Sequence, residues 1–361
     1  ISGEKMKRIV IIGGGAAGLM AACTANYIYR NGGAEITVIE KNERPARKLM
    51  ITGKGRCNVC NNCDIDTLIA NVPENGRFLY SAFSGFAPQD TMTFFESLGV
   101  SLKTERGNRA FPVSDKASDI VDALVKAAKR GGAEIIQGTA KKILTENGAV
   151  SGVLLENGEA LPADSVILAT GGMSYPLTGS TGDGYKIARA LGHTITEIKP
   201  SLVALNAHEG FCERLAGLSL KNVALSVFEE SRKKPVFSEL GEILFTHFGI
   251  SGPLVLSASA HMRYIGKKQY TAAIDLKPGL TPEQLDKRIL RDFDEEKNRD
   301  FINSLNSDSC KAFMHRTRPE GKQYKQGAAR RALQGLKGIY AAYNRNAPDR
   351  RGDNHPRRYI G

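Results

Sequence analysis

The spacing of apolar residues changes several times along the chain, and each change predicts an element. "RIVII" at residues 8–12 is an unbroken β-branched run, the pattern of a parallel strand buried on both faces. Residues 16–30 then fit a helix, and "EITVI" at 35–39 returns to a strand. Further on, residues 117–130 carry a helical period, 134–137 a short strand, and 165–169 a second fully apolar strand. Between these last two, short alternating runs surround Asn147-Gly148 and Asn157-Gly158, which predicts a small antiparallel meander over residues 139–162.

Residues 193–277 show short alternating runs such as "NVALSVFE", "GEILFTHFG" and "KQYTAAIDL" without long helical period, so an all-β insert is predicted there. Residues 278–306 then switch to a helical insert. Thr281 is its N-cap, Glu283 falls in the first turn, and Leu285, Ile289, Leu290 and Phe293 keep helix spacing. The first unit is accordingly bounded at residues 6–192.

Candidate chemistry begins where the first strand ends. Gly13, Gly15 and Gly18 form G-x-G-x-x-G, followed by Ala16 and Ala17 opening the helix. A tight turn requires the first glycine, close approach of a pyrophosphate the second, and tight helix-to-strand packing the third. The helix start would point its free N–H groups at the phosphates, an interaction of about 0.3 to 2 kcal/mol. Glu40, followed by Lys41, closes the second strand, where a carboxylate accepts ribose hydroxyls and opposes a 2'-phosphate. FAD and NAD therefore remain as ligands, and NADP is disfavoured at this cradle. A meander in place of a crossover helix, ending in a strand and Thr170-Gly171-Gly172, resembles the glutathione-reductase type of FAD domain within the α/β class.

Composition changes this picture in two places. The net charge of +12 on 361 residues invites a nucleic-acid reading. From Ser307 onward, however, thirteen Lys and Arg stand against four Asp and Glu, a net +9, whereas the preceding 306 residues carry 37 against 34, or +3. The body is close to neutral, so no nucleic-acid partner is expected. Six cysteines without regular pairing, and no apolar run long enough to cross a bilayer, predict a cytoplasmic chain without a membrane partner. Cys57, Cys60 and Cys63 have C-x2-C-x2-C spacing, but the next cysteine is Cys212 and the first histidine His193, so a fourth metal ligand is missing nearby and no metal is expected.

Five ordered stretches carry a closer resemblance: "GGGAAGLMAA", "ARKLMITGKGRCNVCN", "FPVSDKASDIVDAL", "LATGGMSYPLTGSTGDGY" and "GEILFTHFGISGPLVLSAS". Over residues 6–306 the chain resembles the bacterial FAD-dependent flavoproteins that include YhiN-like proteins, aminoacetone oxidases and BaiN-type bile-acid ene-reductases. The resemblance implies an FAD-binding Rossmann-like domain with an inserted β-barrel-like domain and a small helical domain. It implies FAD as cofactor, NAD(P)H as candidate reductant and a small-molecule substrate. It also lays Gly55, Arg56, Cys57 and Asn58 along the flavin, with Thr170, Gly171 and Gly172 abutting the cofactor, and Gly53 joins them as a cofactor-side glycine. On their own terms the glycines allow close backbone approach, Arg56 suits a diphosphate, and Asn58 offers a donor and an acceptor. Lys48 is placed either on a phosphate or flavin oxygen or in solvent. Tyr175, Asp183 and His247 are substrate-side candidates, and no acid or base is assigned, because a flavin itself handles hydride.

After Asn306 the apolar pattern stops, and residues 307–361 read as an aberrant basic tail. Back-translating "GLKGIYAAYNRNAPDRRGDNHPRRYIG" and starting one base later permits "ALKAFTLRTIGTRPIDEAITTRGGIS", which resembles the family's continuation. A frameshift near Ser307 to Cys310 is the expectation. Three functions follow: an FAD-dependent oxidoreductase moving hydride to or from a small organic molecule, a flavin-dependent RNA-modifying or RNA-binding protein, and an inactive truncated flavoprotein.

Overall fold

In a computed structural model the protein is described over residues 6–29, 33–208, 210–281, 284 and 339–343. The chain divides into two compact units, Ile1–Ile198 and Lys199–Gly361.

The first unit is built on a four-stranded parallel sheet with the order Ser165–Leu168, Lys7–Ile12, Ala34–Glu40, Glu134–Gln137. The β-branched opening strand is central, which explains its unbroken apolar run. Ile9 and Ile11 face Leu19 of the helix Ala16–Ile28 and Ile120 and Leu124 of the helix Ala117–Arg130. Val10 and Ile12 face the opposite way, onto Val153 and Leu155. Those two residues belong to the antiparallel meander Ala140–Glu146, Ala149–Leu155, Ala160–Pro162. The predicted meander is therefore the crossover between the last two parallel strands, and it covers one face of the sheet.

Both turns of the meander are hairpins, but only one is built on the Asn-Gly pair as such. Asn147 and Gly148 both have positive φ, 53° and 80°, the type I' requirement. At the second only Gly158 does, at 91°, because a longer loop closes through Leu155 N–H to the Glu159 carbonyl at 2.8 Å.

The predicted apolar strand at 165–169 ends at Leu168 and departs from expectation in burial. It pairs only with the opening strand among the described residues, so it forms an edge, and Ile167 and Leu168 are each 38 % exposed.

The second unit carries a six-stranded antiparallel sheet, ordered Leu205–Asn206, Gly249–Ser251, Phe237–Thr246, Ser219–Glu229, Tyr270–Asp275, Ile339–Tyr343. Its core gathers Leu220, Leu225, Ile243, Phe245, Ile250 and Ile274. The predicted all-β composition needs two corrections: Phe211–Arg214 is a short helix and Pro253–His261 a longer one. Gly252 at φ 99° with Pro253 at the first helical position starts the longer helix, a pair that in sequence also reads as a turn. Leu254, Val255 and Ala258 bury it in the same core.

Thr281 caps as predicted, its hydroxyl accepting from Gln284 N–H at 3.2 Å while Gln284 Oε1 accepts from Thr281 N–H at 2.9 Å. The rest of the predicted helical insert lies outside the described residues. So does most of the tail, yet Ile339–Tyr343 within it pairs as a strand with Tyr270–Asp275, where the sequence shows no strand period.

Candidate dinucleotide-binding site

At the C-terminal ends of the first unit's parallel strands lies a crevice of about 650 Å³, within the range of small-ligand sites. The three motif glycines have three different physical reasons. Gly13 has φ 110°, and a Cβ there would strike the Ala169 carbonyl oxygen. At Gly18 a Cβ would strike the Gly13 carbonyl, so this glycine permits the helix to sit against the turn. Gly15 differs: a Cβ there would meet no protein atom within 4 Å, although the residue lines the crevice. Packing does not require a glycine at 15, whereas close approach of a ligand does. The helix beginning at Ala16 has no side-chain cap and no acid in its first turn, which suits an anion at its start.

Glu40 lines the crevice and is 8 % exposed. Its Oε2 accepts from Gly14 N–H at 2.8 Å, and its Oε1 accepts from Asn42 N–H at 2.8 Å and Asn42 Nδ2 at 2.6 Å. A carboxylate has about four acceptor directions. Three are engaged by the protein, so the acid is held rigidly with one direction unengaged among the described residues.

The loop after the edge strand forms the facing wall, tied by side chains that sequence spacing did not associate. Lys41 Nζ donates to Thr181 Oγ1 at 2.6 Å and to Asp183 Oδ2 at 2.7 Å. This ion pair holds the Asp183 carboxyl below its ordinary pKa, with the Lys41 contact the largest cause. Asn42 Nδ2 also donates to the Thr178 carbonyl at 3.2 Å. Lys48 Nζ donates to the Ser174 carbonyl at 2.9 Å, Ser174 Oγ at 3.2 Å and Ser180 Oγ at 2.7 Å, and burial lowers its pKa. Asn42, Ser174, Thr178, Ser180 and Thr181 were not foreseen; the signal was the density of hydroxyls in "SYPLTGSTGD" beside two strand ends.

The crevice thus brings together Gly13, Gly15, Ala16, Ala17, Glu40, Lys41, Lys48, Thr170, Gly171 and Asp183. Gly18 sits beneath it as packing. Gly172 lies beside the wall, where a Cβ would come 3.3 Å from the Tyr185 hydroxyl. Tyr175, with φ 51°, turns the wall loop, its carbonyl accepting from Thr178.

Residues 53–58 are placed against a different structure, the small sheet of Cys60–Asn61, Arg109–Pro112 and Leu102–Glu105. Arg56 makes a two-point contact with Glu105 at 3.1 and 2.7 Å, approaches Asp115 at 3.3 Å and stacks over Phe111 at 3.9 Å. These contacts hold the Glu105 carboxyl low, and Asp115 is held low chiefly by Lys103. Gly53 has φ 56°, and a Cβ there would lie 3.0 Å from both Asn58 N and Phe111. Gly55 has φ 84°, and a Cβ there would lie in ordinary contact, 3.9 Å from the Met50 carbonyl oxygen. With its amide turned to donate, Asn58 bonds the carbonyls of Ala110 at 3.2 Å and Cys60 at 3.1 Å. Cys57 is 1 % exposed with φ 61°, and burial pushes its thiol pKa up, which keeps it protonated. No group of three or more potential metal ligands occurs among the described residues. His247 is at an exposed hairpin tip of the second unit, edge-on to Phe248 with ring centres 5.0 Å apart.

A parallel sheet with a meander crossover, a glycine-lined crevice at its strand ends and an acid on the second strand define a flavoprotein domain of the glutathione-reductase type. The Rossmann-domain model of the HI0933-like proteins matches residues 7–260, and the barrel and H2TH domain model of the same proteins matches residues 199–328. The chain belongs to the HI0933-like family, the FAD-dependent flavoproteins its motifs resemble, and FAD is the cofactor that the crevice fits. The second match runs past the Asn306 limit of the motif resemblance.

Similar proteins include the 3-dehydro-bile acid delta(4,6)-reductase of Clostridium scindens, 33 % identical over 286 residues, covering 78 % of this chain and 67 % of that protein. The ribosomal RNA dihydrouridine synthase of Escherichia coli is 30 % identical over 253 residues, covering 70 % and 60 %. That of Haemophilus influenzae is 28 % identical over 281 residues, covering 76 % and 65 %. The chain therefore spans 60 to 67 % of the length of these relatives.

No helix among the described residues is long and apolar enough to cross a membrane.

Proposed function

We propose that the protein is an FAD-dependent oxidoreductase that reduces a carbon–carbon double bond conjugated to a carbonyl in a small organic molecule. The observation that carries the cofactor reading is the open space before Gly15, a glycine that packing does not explain. In this reading Ala16 and Ala17 offer backbone N–H groups to the pyrophosphate, and Glu40 takes a ribose hydroxyl through its remaining acceptor direction. The wall tied by Lys41, Asn42 and Lys48 keeps water from the cofactor's flank. When bound, FAD supplies the hydride chemistry through its ring. NAD(P)H is the reductant proposed for it, and residues 53–58 are proposed to lie along its ring end. Tyr175, Asp183 and His247 stay substrate-side proposals; of these, Asp183 is already committed to Lys41.

The names of the relatives support the bond type. The delta(4,6)-reductase and the dihydrouridine synthases are named for different molecules, a 3-dehydro-bile acid and uridine in ribosomal RNA, and an unsaturated bond next to a carbonyl is the feature this reading takes the two to share. An RNA substrate is the second reading, favoured by the two dihydrouridine synthases. The near-neutral first 306 residues weigh against it, because backbone binding of RNA draws on clustered positive charge.

The test is anaerobic: FAD-loaded protein is reduced, then mixed separately with a steroidal dienone and with uridine-containing ribosomal RNA, and return of the oxidised flavin band is followed. Rapid return with the dienone alone supports the small-molecule reading. Return with RNA alone replaces it, and return with neither removes the proposed bond type.

A further inference from the structure

This inference rests on the FAD reading of the crevice and concerns the charge balance inside it. Three basic side chains line the crevice, Lys41, Arg47 and Lys48. Lys41 is neutralised by Asp183 at 2.7 Å. Arg47 is exposed and reaches Asn42 Oδ1 at 3.2 Å, so water screens it. Lys48 is half-buried, and its three hydrogen-bond partners are neutral oxygens from Ser174 and Ser180.

The two carboxylates lining the crevice are committed elsewhere. Glu40 is taken up by Gly14 and Asn42, and Asp183 by Lys41, Thr181 and Lys186. An ammonium drawn out of water among neutral oxygens keeps an uncompensated desolvation cost, which a bound anion would offset. The lowered pKa of Lys48 is the sign of that cost.

The position of the ammonium is fixed as well. Ser180 is 6 % exposed, and its hydroxyl lies so close to Gly171 that a Cβ there would come within 2.9 Å of it, while Gly171 itself has φ 72°. The hydroxyl that holds Lys48 is therefore wedged against the end of the edge strand, and Lys48 is prevented from swinging out to solvent as exposed lysines do.

We propose that Lys48 is the anion receptor of the crevice, its ammonium preset by Ser174 and Ser180 to pair with a negatively charged oxygen of the bound dinucleotide. That oxygen belongs either to the pyrophosphate or to the ring in its reduced form, and one set of measurements separates the two sources. Affinities for FAD and for ADP, and the reduction potential of bound FAD, are measured on the full chain as wild type, Lys48→Met and Lys48→Arg, with melting curves as the fold check.

A pyrophosphate partner predicts that Lys48→Met weakens FAD and ADP alike by about tenfold or more and leaves the potential unchanged. A ring partner predicts an unchanged ADP affinity and a potential lower by about 30 mV or more, the equivalent of a tenfold loss of preference for the reduced form. In both cases Lys48→Arg recovers part of the loss. A second readout needs no variant: the Lys48 ammonium pKa, followed by NMR, rises when FAD is added.

A folded Lys48→Met protein with wild-type affinities and potential, or a Lys48 pKa that FAD does not move, overturns the proposal. Failure of the wild type to bind FAD at all overturns the site reading instead.

Discussion

Two glycine-bearing turns of the first unit look alike in sequence and differ in what surrounds them. At Gly13 to Gly18, polar groups of the protein face a crevice, and the middle glycine fronts empty space. At residues 53–58, the cationic and amide side chains are satisfied by the chain itself, Arg56 by Glu105 and Asp115, Asn58 by two carbonyls. The first turn leaves its middle glycine facing open space, whereas the side chains of the second are engaged in clamping a three-stranded sheet, whatever its backbone meets at the proposed ring end. Glycine alone does not separate these roles. What a Cβ would meet does: backbone at Gly13 and Gly18, a neighbouring ring and amide at Gly53, nothing at Gly15.

The largest effect is expected at Gly13. Replacement by alanine forces an L side chain into φ 110° and against the Ala169 carbonyl, and should cost about 3 kcal/mol or more in denaturant unfolding. A loss below about 1 kcal/mol would show that the turn relaxes and that the tight-turn account is wrong.

Next comes the tie between the turn's second strand and the crevice wall. Asp183→Asn should destabilise the first unit by about 1 kcal/mol at neutral pH. Because Lys41 holds the Asp183 carboxyl below its ordinary 3.8, the tie contributes in full above that value and is lost as pH falls through the lower folded value. Unfolding curves of wild type and variant should therefore converge only in that acid range. Convergence near neutral pH would contradict the ion pair.

A smaller change is expected for Arg56→Ala: a lower melting temperature whose deficit shrinks as salt is raised, since exposed ion pairs are screened. A deficit indifferent to salt would assign Arg56 to the Phe111 stack instead of the ion pairs. The smallest effect concerns Cys57, which should resist alkylation in the folded protein at neutral pH while the more accessible Cys63 is labelled, as peptide mapping would show. Equal labelling of the two would place Cys57 in a reactive environment.

The sequence made the first unit's frame legible because its signals are local. The helix Ala117–Arg130 and the strand Glu134–Gln137 have the ends that their periods predict, and the meander follows from alternation around two turns. Local period carries no information about partners far along the chain. Lys41 meets Thr181 across 140 residues, and Lys48 meets Ser180 across 132, so the crevice wall could not be read from spacing. The same limit explains the edge strand: "SVIL" is as apolar as a central strand, but its place in the sheet depends on which strands pair with it. The helix Pro253–His261 was hidden for another reason, since Gly-Pro announces a turn and a helix start with the same two residues.

The most direct test of the central claim is a titration of FAD into the full chain and its Gly15→Leu variant, with melting curves alongside. The crevice account predicts one FAD per chain for the wild type, displaced by ADP, and an affinity at least about tenfold weaker in a variant that melts within a few degrees of wild type. Equal FAD affinity in the two proteins would mean that the space before Gly15 is not where the dinucleotide rests.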